Sequence, residues 1–181
     1  MAKNDFLDES EQHVEIDLFQ KTCGGIIDPT LIVLKVHLLT EYYLERLIHV
    51  SLKRGDRLIN DGRLSYQQKL VLVHSLDILE DSTIQCLKNL NKIRNEFAHE
   101  ISKQIEVKDI EFIARPLGQI CSKYRAKSKN NSLIFLHGIL AYICGLLGGL
   151  VAYHEKRIIA QSDKKRFVSK ALSKNDPNNK N

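Results

Sequence analysis

The residues best suited to chemistry lie in one stretch, Leu90-Asn91-Lys92-Ile93-Arg94-Asn95-Glu96-Phe97-Ala98-His99-Glu100. Cleaving RNA through its own 2′-hydroxyl needs a base that works near neutral pH. It also needs a cation for the charge that gathers on phosphorus. Histidine supplies the first. Arginine supplies the second, as a fixed charge on a planar donor fork. His99 and Arg94 are therefore the candidate catalytic pair, with no metal required. Asn95 is the assisting residue, orienting the imidazole or donating to a phosphate oxygen. Lys88 and Lys92 are the candidate RNA-binding cations, because lysines that neutralise phosphates supply most sequence-independent affinity.

At about 100° per residue, a helix through this stretch divides cleanly. Cys86, Leu90, Ile93, Phe97 and Ile101 share a core face. Asn95, His99, Lys88 and Lys92 fall on the opposite side, and Arg94 lies on the border. Residues five apart on one helix point in different directions, so a single copy serves Arg94 and His99 poorly. Two such helices facing across a two-fold axis bring both pairs into one groove, which predicts a homodimer. Plainer readings stand beside these. Arg94 suits an ion pair with Glu41 or Glu45 on a neighbouring helix, a supporting role compatible with catalysis. His99 suits a contact with the last carbonyls of its helix. Asn95 suits a polar seam, and Lys88 and Lys92 a solvated face.

Arg94, Asn95 and His99, within Ile-Arg-Asn-x-Phe-Ala-His, resemble the arginine–spacer–histidine motif of HEPN domains (higher eukaryote and prokaryote nucleotide-binding). That resemblance implies an all-α bundle, metal-independent ribonuclease activity at a dimer interface, and a toxin–antitoxin, phage-defence or RNA-processing setting. A protein antitoxin or regulatory partner is implied with it. From about Ile32 to Glu100 the chain also resembles the mannitol-operon repressor branch of that superfamily. Leu38-Leu39-Thr40-Glu41, a Gly/Asp loop, a helix from Ser65 and the motif helix carry this likeness. It implies an alternative, a non-catalytic transcriptional regulator or interaction module. Asn95 directly after Arg94 is similar to the ribonuclease version of the motif.

The elements that must position these residues read as helices throughout. Asp28-Pro29-Thr30 starts a helix that runs to Arg54-Gly55, since Asp caps and Pro suits the first position. Gly55 to Arg63 reads as a loop. Ser65 caps a helix through Leu79, and Asp81 or Ser82 caps the motif helix through about Ile101. Another spans Val107 to Tyr124, with Pro116 expected to kink or split it. Lys123 to Asn131 reads as a basic loop, and a final helix covers Ser132 to Gln161. No stretch alternates with period two. The expected fold is an all-α bundle of about five main helices.

The chain has 181 residues, 43% of them hydrophobic, enough for one domain with a real core. Its domain plan is an acidic segment with a short helix over 1–27, a helical domain over 28–161 and a basic, disordered tail over 162–181. Up to Asp17 one lysine opposes six carboxylates, whereas from Ser162 six cations oppose two. The net charge of +5 leaves a modest positive field on the body, suited to phosphates. Cys23, Cys86, Cys121 and Cys144 are scattered without a CxxC pair, so neither a zinc finger nor a redox motif is expected. The acidic opening has no apolar signal core, which with reduced thiols predicts a cytoplasmic protein. No cofactor is expected: Cys23-Gly24-Gly25 lacks a following Lys-Ser/Thr. His37 and Glu41, one turn apart, lack a second histidine at ligand spacing. Leu133 to Tyr153 carries no formal charge and is long enough to cross a bilayer. A helix apolar all round also suits the centre of a bundle, and that soluble reading is preferred.

Overall fold

The computed structural model describes residues 18–100 and 103–174. Among them the fold is all-α, with no strand. Eight helices follow one another: α1 (18–23), α2 (Pro29–Ser51), α3 (Gly55–Gly62), α4 (Tyr66–Ser75), α5 (Asp81–His99), α6 (Val107–Ala114), α7 (Gln119–Lys127) and α8 (Ser132–Lys174).

Local chemistry sets most of the boundaries. Asp28 caps α2, its Oδ1 accepting the Thr30 amide at 2.9 Å, with Pro29 in the first turn. Ser65 and Gln68 form a capping box at the start of α4. The stretch with Pro116 divides as expected, into α6, a 3-10 turn over Arg115–Leu117, and α7. Asp81 does not cap α5. Its carboxylate accepts from the His74 ring at 2.7 Å, and Glu80 holds the cap position without a side-chain bond.

Several expectations change: besides the α5 cap, Lys123 to Lys127 of the expected basic loop belong to α7. The Gly/Asp segment after α2 is a helix, α3, not a loop. Gly55 lets its backbone come so close to α2 that a β-carbon there would lie 2.4 Å from the Ile48 carbonyl oxygen. The chain then leaves α3 through Arg63 in a left-handed conformation, φ 45°. The helix from Ser65 stops at Ser75 rather than Leu79, turning at Asp77 with φ 54°. The last helix does not stop at Gln161 but continues to Lys174. No proline or glycine interrupts it after Gly149, so nothing in the covalent chain forces an end. Residues 175–181 of the proposed tail, 1–17 of the acidic segment, and Ile101 lie outside the described residues.

The core sits between α2 and α8, which run side by side in the same direction. His137 reaches the Ile26 carbonyl at 3.2 Å near their starts, and Arg46 pairs with Glu155 further along. Tyr43, Leu44 and Leu47 of α2 and Ile139, Ile143 and Leu147 of α8 are wholly buried in the core. Each such side chain contributes roughly 1.5–3 kcal/mol. Gly138 admits the ring of Tyr124, which would lie 2.5 Å from a β-carbon there, whereas one at Gly145 would meet nothing within 4 Å. Close approach therefore explains only one of the two. Ser132–Ala160 is the only stretch among the described residues long and apolar enough to cross a membrane, and 56% of its most apolar window is buried inside the bundle.

Candidate functional site

Helix α5 carries the site. Its inner face is buried through Cys86, Leu90 and Ile93, with Phe97 partly covered. The opposite face opens on a groove of about 670 Å³. Lys88, Lys92, Asn95 and His99 all line it, as the helical wheel predicts. They are joined by Asn91 and Glu96 of the same helix, by Glu100 just after it and by Gln67 of α4. His99 is exposed in the last turn of α5.

Arg94 stands apart. It is half-buried and does not line the groove. Its Nη1 donates to Asn95 Oδ1 at 3.1 Å, so the guanidinium reaches the groove edge through the amide. The oxygen of Asn95 is thereby turned to Arg94, leaving its NH₂ as the group that can donate elsewhere.

The expected pairing of Arg94 with Glu41 or Glu45 is not what the fold builds. Lys69 of α4 takes both carboxylates, at 2.7 Å from Glu41 and 2.6 Å from Glu45. Packing of α4 on α2 puts Lys69 between them, its side chain only 7% exposed. Burial works against the charged ammonium, but the hydrogen bonds to Glu41 and then Glu45 outweigh it, so its pKa is raised.

Beneath the groove lies a second polar layer. His37 of α2 is buried and stacks on Tyr66, ring centroids 4.2 Å apart. Tyr66 and Thr40 share a hydrogen bond of 3.0 Å between their hydroxyls. His37 Nε2 lies 2.9 Å from Asn91 Oδ1. An amide oxygen only accepts, so Nε2 carries the proton. Burial pushes the pKa of His37 down, partly opposed by the Asn91 bond, and the charge of Arg94 lowers it further. The ring is therefore held neutral. Burial raises the Tyr66 phenol as well, and it pushes the Cys86 thiol up to about 12. None of the four cysteines is in a disulfide.

Two further contacts brace α5. Lys103 binds Glu96 at 2.7 Å and Asp109 at 3.5 Å, tying the segment after the helix to α6. Asn89 donates to the Phe112 carbonyl at 2.6 Å, and Lys92 stands 5.3 Å above the Phe112 ring. His37 and Glu41, weighed in the sequence as metal ligands, turn to Asn91 and Lys69 instead. No group of three or more potential metal ligands occurs among the described residues.

Sequence reasoning missed Asn91, Gln67 and Lys69, and weighed His37 only as a metal ligand. Asn91 carried a signal, since it sits one turn before Asn95 on the same wheel. The other three depend on which helices pack together. Comparison with family models, curated proteins and solved structures gives no match.

Proposed function

We propose that the chain is a metal-independent endoribonuclease of the HEPN type, acting as a homodimer with toxin, defence or RNA-processing use in the cytoplasm. The observation that carries this reading is the groove on α5, where Lys88, Lys92 and Asn95 stand in line with the exposed imidazole of His99. His99 takes the proton from a ribose 2′-hydroxyl, whose oxygen attacks the adjacent phosphorus. The bond from phosphorus to the 5′-oxygen breaks, and that oxygen leaves with a proton from a second imidazole or from water. Arg94 offsets the charge on the phosphoryl oxygens, with two copies of α5 facing each other so that both pairs share one cleft.

The test is cleavage of a broad RNA panel in the presence of a chelator. Wild type should cut, and His99→Ala and Arg94→Ala should not, at unchanged thermal stability. Equal behaviour of all three ends the catalytic reading.

Glu96 and Glu100 also line the groove, and their carboxylates oppose a phosphate backbone. This favours a second reading, a non-catalytic regulator or interaction module similar to the mannitol-operon repressors. Removing residues 162–181 should then weaken DNA or protein-partner retention while His99→Ala leaves it intact.

A further inference from the structure

The wall of the groove differs from an ordinary polar surface in one respect. Asn91 and Asn95 stand one turn apart, and each amide oxygen already faces a donor. His37 serves Asn91 from beneath at 2.9 Å, and Arg94 serves Asn95 from the side at 3.1 Å. Each amide thus has its oxygen engaged by a protein donor and both N–H bonds of its NH₂ left for a ligand. Lys88 and Lys92, between and beside them, are donors only. Glu96, the carboxylate nearest this row in sequence, is held by Lys103 at 2.7 Å.

Lys88, Asn91, Lys92 and Asn95 thus form a row of donors along one side of a groove whose other lining includes the acceptors Gln67, Glu96 and Glu100, and a row of donors suits a ligand of acceptors. Base edges mix donors and acceptors, and an asparagine that pairs with adenine must use both ends of its amide. Asn91 has only one end to offer. The non-bridging oxygens of a phosphodiester accept and never donate, and they match it. We propose that Asn91 is a phosphate-binding residue of the groove, and that buried His37 is the positioning residue that locks its amide with the nitrogen outward. This rests on RNA being the occupant of the groove, but not on RNA being cut there. It gives the buried histidine a use that its place in the core does not explain: a hydrophobic side chain would stack on Tyr66 equally well, yet would leave the amide without a fixed sense.

Binding of a short 2′-O-methyl oligoribonucleotide tests this separately from catalysis, because the methyl group removes the attacking hydroxyl. Asn91→Ala should weaken binding about tenfold, as for loss of a hydrogen bond to a charged group. Asn91→Asp keeps the shape and should bind more weakly still, since a carboxylate repels the phosphate. His37→Phe keeps the ring stack and should lose part of what Asn91→Ala loses. The salt dependence separates this from a general loss of charge. Asn91→Ala should leave the slope of log affinity against log salt unchanged, whereas Lys92→Ala should reduce it by about 0.7. If wild type binds and both Asn91→Ala and His37→Phe bind equally well at equal thermal stability, the assignment of Asn91 is overturned and the ribonuclease reading stands untouched. If wild type does not bind the oligonucleotide, the assignment is overturned too, and chelator-resistant cleavage alone then decides the ribonuclease reading.

Discussion

The groove on α5 and the polar layer under it use similar residues in opposite ways. In the layer, every named group turns to a protein partner: Lys69 to Glu41 and Glu45, Thr40 to Tyr66, His37 to Asn91. In the groove, half-buried Lys88 and exposed Lys92 and His99 line an open surface, Lys92 also standing over the Phe112 ring, and the two asparagines keep their NH₂ groups for a ligand. Buried polar groups are tolerated only when satisfied, because desolvation penalises each one left without a partner. A histidine in the layer stabilises and orients, while a histidine in the groove can exchange protons with a ligand.

That contrast breaks most readily at His99. His99→Ala should lower RNA cleavage by about 10²- to 10⁴-fold, with stability changed by less than about 0.5 kcal/mol, as for an exposed side chain. Single-turnover cleavage and thermal melting read the two numbers on one sample. A loss of stability as large as the loss of rate would move His99 into the structural class.

Lys69→Met should do the reverse. It leaves Glu41 and Glu45 facing each other without their shared cation, and should cost about 2 kcal/mol. The figure is below that for a fully buried pair because Glu45 is 37% exposed. Urea denaturation checks it. Retention of RNA at native concentrations should be unchanged, and a weakened affinity would join the layer to the groove functionally.

Acid should act on the layer too. The folded-state pKa of His37 is lowered, by burial first. Such a group contributes stability that is present above its unfolded pKa of about 6.5 and is lost as pH falls through the lower folded value. Arg94 and Lys69 face the ring as cations and Glu41 as the opposing anion. The denaturation midpoint should therefore fall as pH drops below about 6.5. His37→Phe should flatten that slope without removing it, because burial and Arg157 lower His154 in the same direction. An unchanged slope would show that His37 is not held neutral.

The smallest effect sharpens the comparison within the groove. Lys92 sits over Phe112 at 5.3 Å and is exposed. Lys92→Ala should barely alter stability while weakening RNA uniformly across sequences. A sequence-dependent loss would mean that this lysine reads bases.

Much of the fold was legible because it is local. Asp28-Pro29, the Ser65 cap and Pro116 act through neighbours in the chain, and each marks a boundary the structure keeps. Gly55 to Arg63 misled because its composition suits a loop, while its helix depends on an approach to Ile48 that composition does not encode. The partner of Glu41 and Glu45 misled for a similar reason. Arg94 and Lys69 are both cations within the same domain, and only the packing of α4 on α2 selects Lys69.

The sequence by itself determined which residues of α5 share a face, because helical periodicity follows from the backbone alone. Lys88, Lys92, Asn95 and His99 had to stand together once the helix formed. Only the tertiary structure decided what lies behind that face. His37 is separated from Asn91 by 54 positions in the chain, and no local preference brings them within a hydrogen bond. Burial of apolar surface between α2, α4, α5 and α8 does so, and it sets the direction in which the Asn91 amide points.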